Sequence, residues 1–169
     1  MNPNDLVLLR QAYAILNRVT PFPYDCGEIC SARCCGGGQE DGMWLLPGEE
    51  ALVGDSFSIL SAEDGQKAAV CSGSCNRDLR PFSCRIFPLF PVITQDERGR
   101  TRIKADFDPR AGRICPIAAG QFRTQRAFRL AVCRATRLLL RSETYRGWFA
   151  ETGAFLAYLQ DLQSKLEEE

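Results

Sequence analysis

Apolar residues recur at helical spacing near the N-terminus and across the last third of the chain. The first stripe consists of Leu6, Leu9, Tyr13 and Leu16. This spacing predicts an amphipathic helix, and Asn4 or Asp5 is expected to be its N-cap. A second helical stripe, between residues 123 and 141, consists of Phe128, Ala131, Val132, Ala135 and Leu139. A last helix is predicted to begin near Ala154, with its apolar stripe at Phe155, Leu159, Leu162 and Leu166.

Between these helices the pattern changes to short alternating runs, which favour β-strands. Residues 57–61 and 67–71 predict two strands joined by a tight turn. Residues 89–95 and 100–107 predict a hairpin. Pro91 restricts the first strand of this hairpin to a sheet edge, because proline cannot donate a hydrogen bond to a neighbouring strand.

The order of these elements predicts a single α+β domain over residues 1–169, with a small antiparallel sheet. An N-terminal helix is expected within 1–19, a cysteine-rich, loop-rich metal-binding core within 20–117, and C-terminal helices within 118–169. The chain has 169 residues, of which 45% are hydrophobic and 25% charged, and these values are ordinary for one globular domain. No apolar run approaches the roughly 18 residues of a membrane helix.

The first 20 residues also bear on the compartment. Arg10 interrupts the apolar stretch, and no basic region precedes it, so the segment does not resemble a secretory signal. We therefore expect a cytoplasmic protein, in which thiols stay reduced.

The composition has two unusual features, nine cysteines and no histidine. Without histidine, Ser-His-Asp and Cys-His catalysis and zinc sites with imidazole ligands are excluded. An odd number of cysteines in a reducing compartment argues against a disulfide framework. The pattern therefore favours metal ligation, with thiol redox chemistry and buried structural thiols as alternatives.

Most of the cysteines lie in loops beside glycine and proline, whose tight turns let several thiolates approach one ion. The predicted metal ligands are Cys26, Cys30, Cys34, Cys35, Cys71, Cys75, Cys84 and Cys115. Eight thiolates are enough for two four-thiolate sites, and one site with spare thiols is the other possibility. Cys34 and Cys35 are adjacent, so their side chains diverge; the pair could serve two centres, or one thiolate could ligate while the other packs. Cys133 lies on the long helix with no second cysteine within a helical turn, and is expected to be structural.

Three segments together resemble a known family. They are CGEICSARCC, RPFSCRIFP and ICP, and they fall within residues 25 to 117. The chain resembles the YkgJ-type cysteine-cluster family, described as zinc- or iron-chelating domains with a C-x2-C-x2-C-C motif, although both gaps here are three residues long. The resemblance implies that clustered thiolates hold Zn²⁺, our first expectation, or an iron–sulfur cluster. Some members of the family resemble a flagellin lysine methylase.

Arginines flank the predicted ligands. Arg33 precedes Cys34, and Arg80 and Arg85 lie on either side of Cys84. Guanidinium groups can donate hydrogen bonds to thiolates and offset the negative charge of a four-thiolate site. The net charge of the whole chain is zero, so binding to nucleic acid is not expected.

The sequence therefore predicts a metal-binding protein with a metal ion as its partner. The alternative is an enzyme, either an iron–sulfur oxidoreductase or a relative of methyl-transferring proteins. No glycine-rich strand-turn-helix signature of a methyl-donor domain is present. A thiol redox protein is disfavoured, because no C-x-x-C motif lies in a βαβ setting.

Overall fold

Helices lie at both ends of the chain, and two small antiparallel sheets lie between them. The computed structural model describes residues 2–24, 26–35, 42–53, 55, 57–63, 65–71, 73 and 75–167. The prediction of a single α+β domain is confirmed. Within the described ranges, none of the helices has the combination of length and apolar character that a membrane span requires.

The described part of the chain contains α-helices and β-strands with the following bounds. The helices are α1 (Pro3–Leu16), α2 (Cys26–Cys30), α3 (Phe82–Ile86), α4 (Arg126–Leu139) and α5 (Glu143–Glu167). The strands are β1 (Met43–Trp44), β2 (Phe57–Ser61), β3 (Lys67–Cys71), β4 (Leu89–Gln95) and β5 (Thr101–Phe107). Short 3-10 turns occur at Arg33–Cys35, Glu49–Ala51, Arg77–Leu79 and Pro109–Ala111.

The two sheets are separate. The first has the strand order β1-β3-β2, and all of its pairings are antiparallel. Its register places Phe57 opposite Cys71, so the last residue of β3 lies at the end of the sheet. The second sheet is the β4–β5 hairpin. Both predicted strand pairs are therefore confirmed. Strand β1 was not predicted, because its two residues are too few to show an alternating pattern of apolar and polar positions.

Two apolar cores hold the fold together. The helix-rich core joins α1, α3, α4, α5 and the β4–β5 hairpin, and its fully buried side chains include Leu9, Phe82, Phe128 and Tyr145. The small core consists of Leu45, Phe57 and Ala69. The side chains of Cys71 and Cys75 pack against this small core, so the sheet places two candidate ligands at its edge.

Helix α4 has the stripe that its sequence predicts, since all five predicted core residues are buried. Helix α1 also has its expected buried face, but its N-cap is Asn2, whose side chain accepts a hydrogen bond from the Asn4 amide at 3.0 Å. The expectation of Asn4 or Asp5 as the cap was wrong because Pro3 occupies the first helical position, where a missing amide hydrogen costs nothing.

The prediction for the last helix was wrong in both its start and its face. Helix α5 begins at Glu143 rather than near Ala154. Its buried residues are Tyr145, Trp148, Phe149, Thr152 and Leu156. The predicted stripe is largely exposed, with Phe155 at 43% and Leu166 at 70%. Gly147 and Gly153 lower the helix propensity of this segment, and tertiary packing of the aromatic side chains outweighs that preference.

A buried carboxylate joins α1, the turn at Glu49–Ala51 and α3. Glu49 is fully buried and accepts hydrogen bonds from the hydroxyl of Tyr13 and the backbone amides of Leu46 and Phe82. Burial raises its pKa to about 7, although these hydrogen bonds act in the opposite direction. The network fixes the N-terminus of α3, and thereby the position of Cys84 in that helix.

Candidate metal centre

The predicted ligands come from six separate parts of the chain. Cys30 ends α2, Cys71 ends β3 and Cys84 lies in the middle of α3. Cys34 and Cys35 lie in the 3-10 turn that follows α2, whereas Cys75 and Cys115 lie in loops. Cys26 begins α2, but its side chain lies outside the described part of the structure. The other eight cysteines carry thiols rather than disulfides.

Five of these cysteines line a single cavity, which we call the thiol cavity. Its volume is about 310 Å³. The five cysteines are Cys34, Cys35, Cys71, Cys75 and Cys84. They come from two parts of the chain, residues 34–35 and residues 71–84, so the fold itself brings these side chains to one place.

A smaller cavity of about 70 Å³, which we call the adjoining cavity, shares a wall with the thiol cavity. Cys30 and Cys115 line the adjoining cavity alone. Cys34, Cys84 and Arg80 line both cavities. Each predicted ligand whose side chain is described therefore faces at least one of the two cavities.

Unusual backbone conformations position the thiol-bearing loops. After α2 the chain turns through Ser31 and Ala32, both with φ of 52°, a left-handed conformation that costs non-glycine residues on the order of 1 kcal/mol each. Backbone hydrogen bonds from Ala32 to Gly27 and from Cys35 to Ala32 hold this turn. Gly73 has φ of 95°, and a Cβ there would lie 4.0 Å from the Cys35 carbonyl oxygen. The loop between Cys71 and Cys75 thus passes close to the cysteine turn.

The thiols in the cavity influence one another electrostatically. Burial raises the pKa of Cys84, and repulsion from Cys35, Glu49 and Cys75 raises it further. The pKa of Cys71 is also raised, first by burial and then by its neighbours Cys75 and Cys35. Several thiolates cannot ionise together at this place without a compensating positive charge.

Arginines supply part of that charge. Arg80 donates a hydrogen bond from Nε to the Sγ atom of Cys75 at 3.3 Å. Burial lowers the pKa of Arg80, but the Cys75 hydrogen bond and the nearby thiols outweigh it, and the net shift is upward. Arg33 and Arg110 also line the thiol cavity. The sequence did not identify Arg110 as a residue near the thiols. The sequence feature that could have pointed to it is the Asp108-Pro109-Arg110 turn, which Asp108 caps and in which Asp108 pairs with Arg110 at 2.6 Å.

Arg85 was expected to donate a hydrogen bond to a ligating sulfur, but its described partners are oxygen atoms and an aromatic ring. Its guanidinium carbon lies 3.8 Å from the centre of the Tyr13 ring. It donates hydrogen bonds to the side chain of Asn17 and to the carbonyl oxygens of Asp78, at 2.8 Å, and Arg80, at 2.6 Å. Arg85 therefore ties α3 to α1 and to the preceding turn.

The thiols have the right chemistry for a soft metal but are not arranged as a closed coordination shell. Among the described side chains, no three cysteine or carboxylate groups converge closely enough to hold an ion. Zinc–sulfur bonds are about 2.3 Å long. Binding would therefore require the segments that carry Cys35, Cys71 and Cys75 to move closer together by side-chain and loop adjustment.

Cys133 lies apart from both cavities. Its Sγ atom approaches the carbonyl oxygen of Ile103 at 3.5 Å, and its side chain packs against the helix-rich core. This position agrees with its expected structural role.

Comparison with known proteins gives no relative. The chain matches no protein-family profile, no curated protein and no solved structure. The likeness to the YkgJ-type cysteine-cluster family consequently rests on the cysteine and Arg-Pro motifs alone.

Proposed function

We propose that this protein binds metal through clustered cysteine thiolates, with Zn²⁺ or an iron–sulfur cluster as the bound species. The observation that carries the proposal is the thiol cavity, in which five cysteines from residues 34–35 and 71–84 face a common space. Thiolates are ligands that both zinc and iron–sulfur clusters prefer.

Charge also supports a metal in this cavity. Four thiolates and one divalent ion have a net charge of 2 − 4 = −2, which hydrogen bonds from nearby donors must offset. Arg80 already donates to Cys75, and Arg33 and Arg110 line the same cavity. Because Arg110 is already paired with Asp108, the positive charge that remains to offset the thiolates is that of Arg80 and Arg33.

The small size of the neighbouring core also supports a bound metal in the thiol cavity. Among the residues that the structure describes, the small core has three buried apolar members, Leu45, Phe57 and Ala69, so apolar burial contributes little to ordering this part of the chain. Structural zinc contributes on the order of 10 kcal/mol to small metal domains. A bound metal would therefore supply stability where the apolar core does not.

The test is elemental analysis of protein purified without chelator and under anoxic conditions. At least one equivalent of zinc, or of iron with inorganic sulfide, is expected per chain. An iron–sulfur protein is brown and bleaches on reduction, whereas zinc is colourless. Less than about 0.5 equivalents of zinc plus iron would overturn the proposal.

Two serine variants make the test specific to the site. Cys84→Ser removes a thiol from the shared wall of the two cavities and should lower the metal content. Cys133→Ser is the matched control, because Cys133 lies on α4 against the helix-rich core. Equal metal content in the two variants would contradict the assignment of the thiol cavity as the site.

A further inference from the structure

We propose that the solvent-facing side of α4 binds the phosphate backbone of double-stranded DNA without reading its base sequence. We call this surface the α4 basic face. It consists of five exposed arginines on α4 and its flanks, Arg123, Arg126, Arg134, Arg137 and Arg141. In the described part of the chain, neither the thiol cavity nor the adjoining cavity is lined by a residue of α4. The face therefore lies apart from the candidate metal centre, and the proposed DNA binding does not depend on bound metal.

The three arginines within α4 share one side of the helix. At 3.6 residues per turn, positions 126, 134 and 137 fall within about 80° of one another, on the side opposite to the buried apolar stripe of α4. Arg129 is different, because it is half-buried and donates a hydrogen bond to the carbonyl oxygen of Ala105 at 2.8 Å. Arg129 thus ties α4 to β5, whereas the other three arginines of the helix face solvent.

The charge of the α4 basic face is not compensated by nearby carboxylates. Residues 123–142 include no aspartate or glutamate. Among the residues that the structure describes, none of the five arginines forms an ion pair. Helix α1 packs against α4, and its one acidic residue, Asp5, is buried. The zero net charge of the whole chain therefore results from an uneven distribution, with uncompensated positive charge on this face.

The same arginines are unfavourable for the stability of α4 itself. Arg126 is the first residue of the helix, and the N-cap residue Gln125 makes no side-chain capping bond. Positive charge at a helix N-terminus is disfavoured by the helix dipole. Arg137 is three residues from Arg134 and four from Arg141, and like charges at these spacings repel. The arginine pattern therefore does not serve helix stability, which favours a role in binding an anionic partner.

The chemistry and length of the face favour a duplex. A guanidinium group binds a phosphate through two parallel hydrogen bonds. Helix α4 has 14 residues and is about 21 Å long. Duplex DNA carries one negative charge per about 1.7 Å of its axis, so a helix of this length meets several phosphates. The major groove of DNA is also wide enough to admit a helix, whereas that of duplex RNA is narrow.

Other anionic partners fit this face less well. Single-stranded nucleic acid is usually held by stacking of its bases on aromatic side chains, and a membrane surface is held by an exposed apolar face. The apolar stripe of α4 is buried in the helix-rich core. Among the described large apolar residues that are exposed, α4 contributes Leu130. The face therefore offers guanidinium groups with little surface for stacking or insertion.

The first experiment measures fluorescence anisotropy of a short labelled DNA duplex with the full chain as purified. We expect a dissociation constant of about 1–100 μM at physiological salt, unchanged when the base sequence is scrambled. The logarithm of the association constant should fall with the logarithm of salt concentration with a slope of about −3 to −4.5, as for three to five phosphate contacts. Absence of binding at low salt would overturn the proposal. Tighter binding to phosphatidylserine vesicles, single-stranded RNA or poly-glutamate than to the duplex would also overturn it.

The second experiment compares two double variants that remove the same charge. Arg134→Gln with Arg137→Gln should weaken binding at low salt at least tenfold and make the salt slope shallower by about 2. The matched control is Arg98→Gln with Lys165→Gln, which changes exposed residues of the β4–β5 turn and of α5. The control should bind the duplex like the wild type. Equal weakening in both would mean that only overall charge matters, and the assignment to α4 would be wrong.

Two further measurements separate this result from folding and from metal binding. The α4 double variant should keep the circular dichroism spectrum of the wild type and unfold at an equal or slightly higher urea concentration, because it relieves repulsion between like charges. Its metal content should equal that of the wild type. Loss of metal together with loss of DNA binding would show that the two properties are linked, and would overturn the separate role of the α4 basic face.

Discussion

At the scale of single residues, Arg80 and Arg85 show how two arginines in one motif come to have different roles. Arg80 faces the thiol cavity and donates to the sulfur of Cys75. Arg85 stacks on Tyr13 and bonds three oxygen acceptors in the surrounding chain. Residues 80 and 85 lie on opposite sides of Cys84 in sequence, but only Arg80 has a sulfur partner among the described hydrogen bonds.

We predict that Arg80→Ala weakens metal binding without greatly destabilising the fold. Losing a hydrogen-bond partner of a ligating sulfur typically lowers metal affinity about 10–100-fold. Arg85→Ala should mainly destabilise the protein, because it removes three hydrogen bonds and the stacking on Tyr13 that tie α3 to α1. A competition titration with a chromogenic chelator measures the first effect, and urea unfolding measures the second. The reverse pattern in the two variants would contradict these roles.

Glu49 leads to a prediction about pH. Its pKa in the folded protein is about 7, above the usual carboxyl value of about 4.3 that holds in the unfolded chain. The folded state therefore binds this proton more tightly, and the stabilisation is complete below about pH 4.3 and lost as pH rises through 7. Relative to Glu49→Gln, the free energy of unfolding of the wild type should fall by about 3 kcal/mol between pH 4.5 and 8.

Urea unfolding at several pH values measures this difference, and Glu50→Gln is the matched control. Glu50 is only partly buried, and its pKa is lowered, since its hydrogen bond and ion pair with Lys67 outweigh the effect of burial. The contribution of Glu50 is therefore present at neutral pH and lost on acidification, opposite to that of Glu49. Parallel pH profiles for the wild type and Glu49→Gln would show that Glu49 does not titrate in this range.

At the scale of secondary-structure elements, α4 is the helix on which the helix-rich core is built. It packs against α1 on one side and against both strands of the β4–β5 hairpin. Phe128 is fully buried, whereas Leu130, on the same helix, is 47% exposed. The two positions therefore form a matched pair of large apolar residues in different environments.

We predict that Phe128→Ala lowers the free energy of unfolding by about 3–5 kcal/mol, through lost burial and the cavity it leaves. Leu130→Ala should change it by less than about 1 kcal/mol, because an exposed side chain leaves no cavity. Urea unfolding at fixed pH compares them. Similar losses in the two variants would contradict the burial pattern of α4.

The elements also show what the sequence can and cannot predict. Helix α4 was predicted correctly because its apolar residues follow one continuous stripe, and the strand pairs because alternation and turn residues agree. The start of α5 was missed because Gly147 and Gly153 interrupt the helical pattern of the sequence. The buried face of this helix nevertheless includes Tyr145 and Trp148. The cysteine pattern predicted the candidate ligands, but no local pattern reveals which of them the fold gathers in each cavity, since that depends on contacts between distant segments.

At the scale of the whole molecule, the two cores differ greatly in size. This difference determines which part of the fold a bound metal would stabilise most. In the described part of the chain, the helix-rich core includes residues from four helices and the hairpin, whereas the small core has three buried apolar residues. Segments with few buried apolar contacts open more readily than the main core. If metal orders the thiol cavity, its removal should loosen the β1-β3-β2 sheet before it loosens α1 or α4.

Hydrogen exchange with and without a strong chelator tests this prediction. Amides of β2 and β3 should exchange at least about tenfold faster after metal removal. Amides of α1 and α4 should keep their protection under the same conditions and serve as the internal control. Uniform loss of protection across all four elements would mean that the molecule unfolds as one cooperative unit.

The β4–β5 hairpin has a consequence for how the molecule behaves at high concentration. Within the described part of the chain each of its strands has only one partner strand, and unpaired strand edges are templates for association with other chains. The exposed face of β5 carries Arg102, Lys104 and Asp106 in alternation, and Lys104 lies directly opposite the exposed Val92. An incoming strand would have to desolvate these charges, so the same residues that pair within the hairpin also discourage aggregation along its edges.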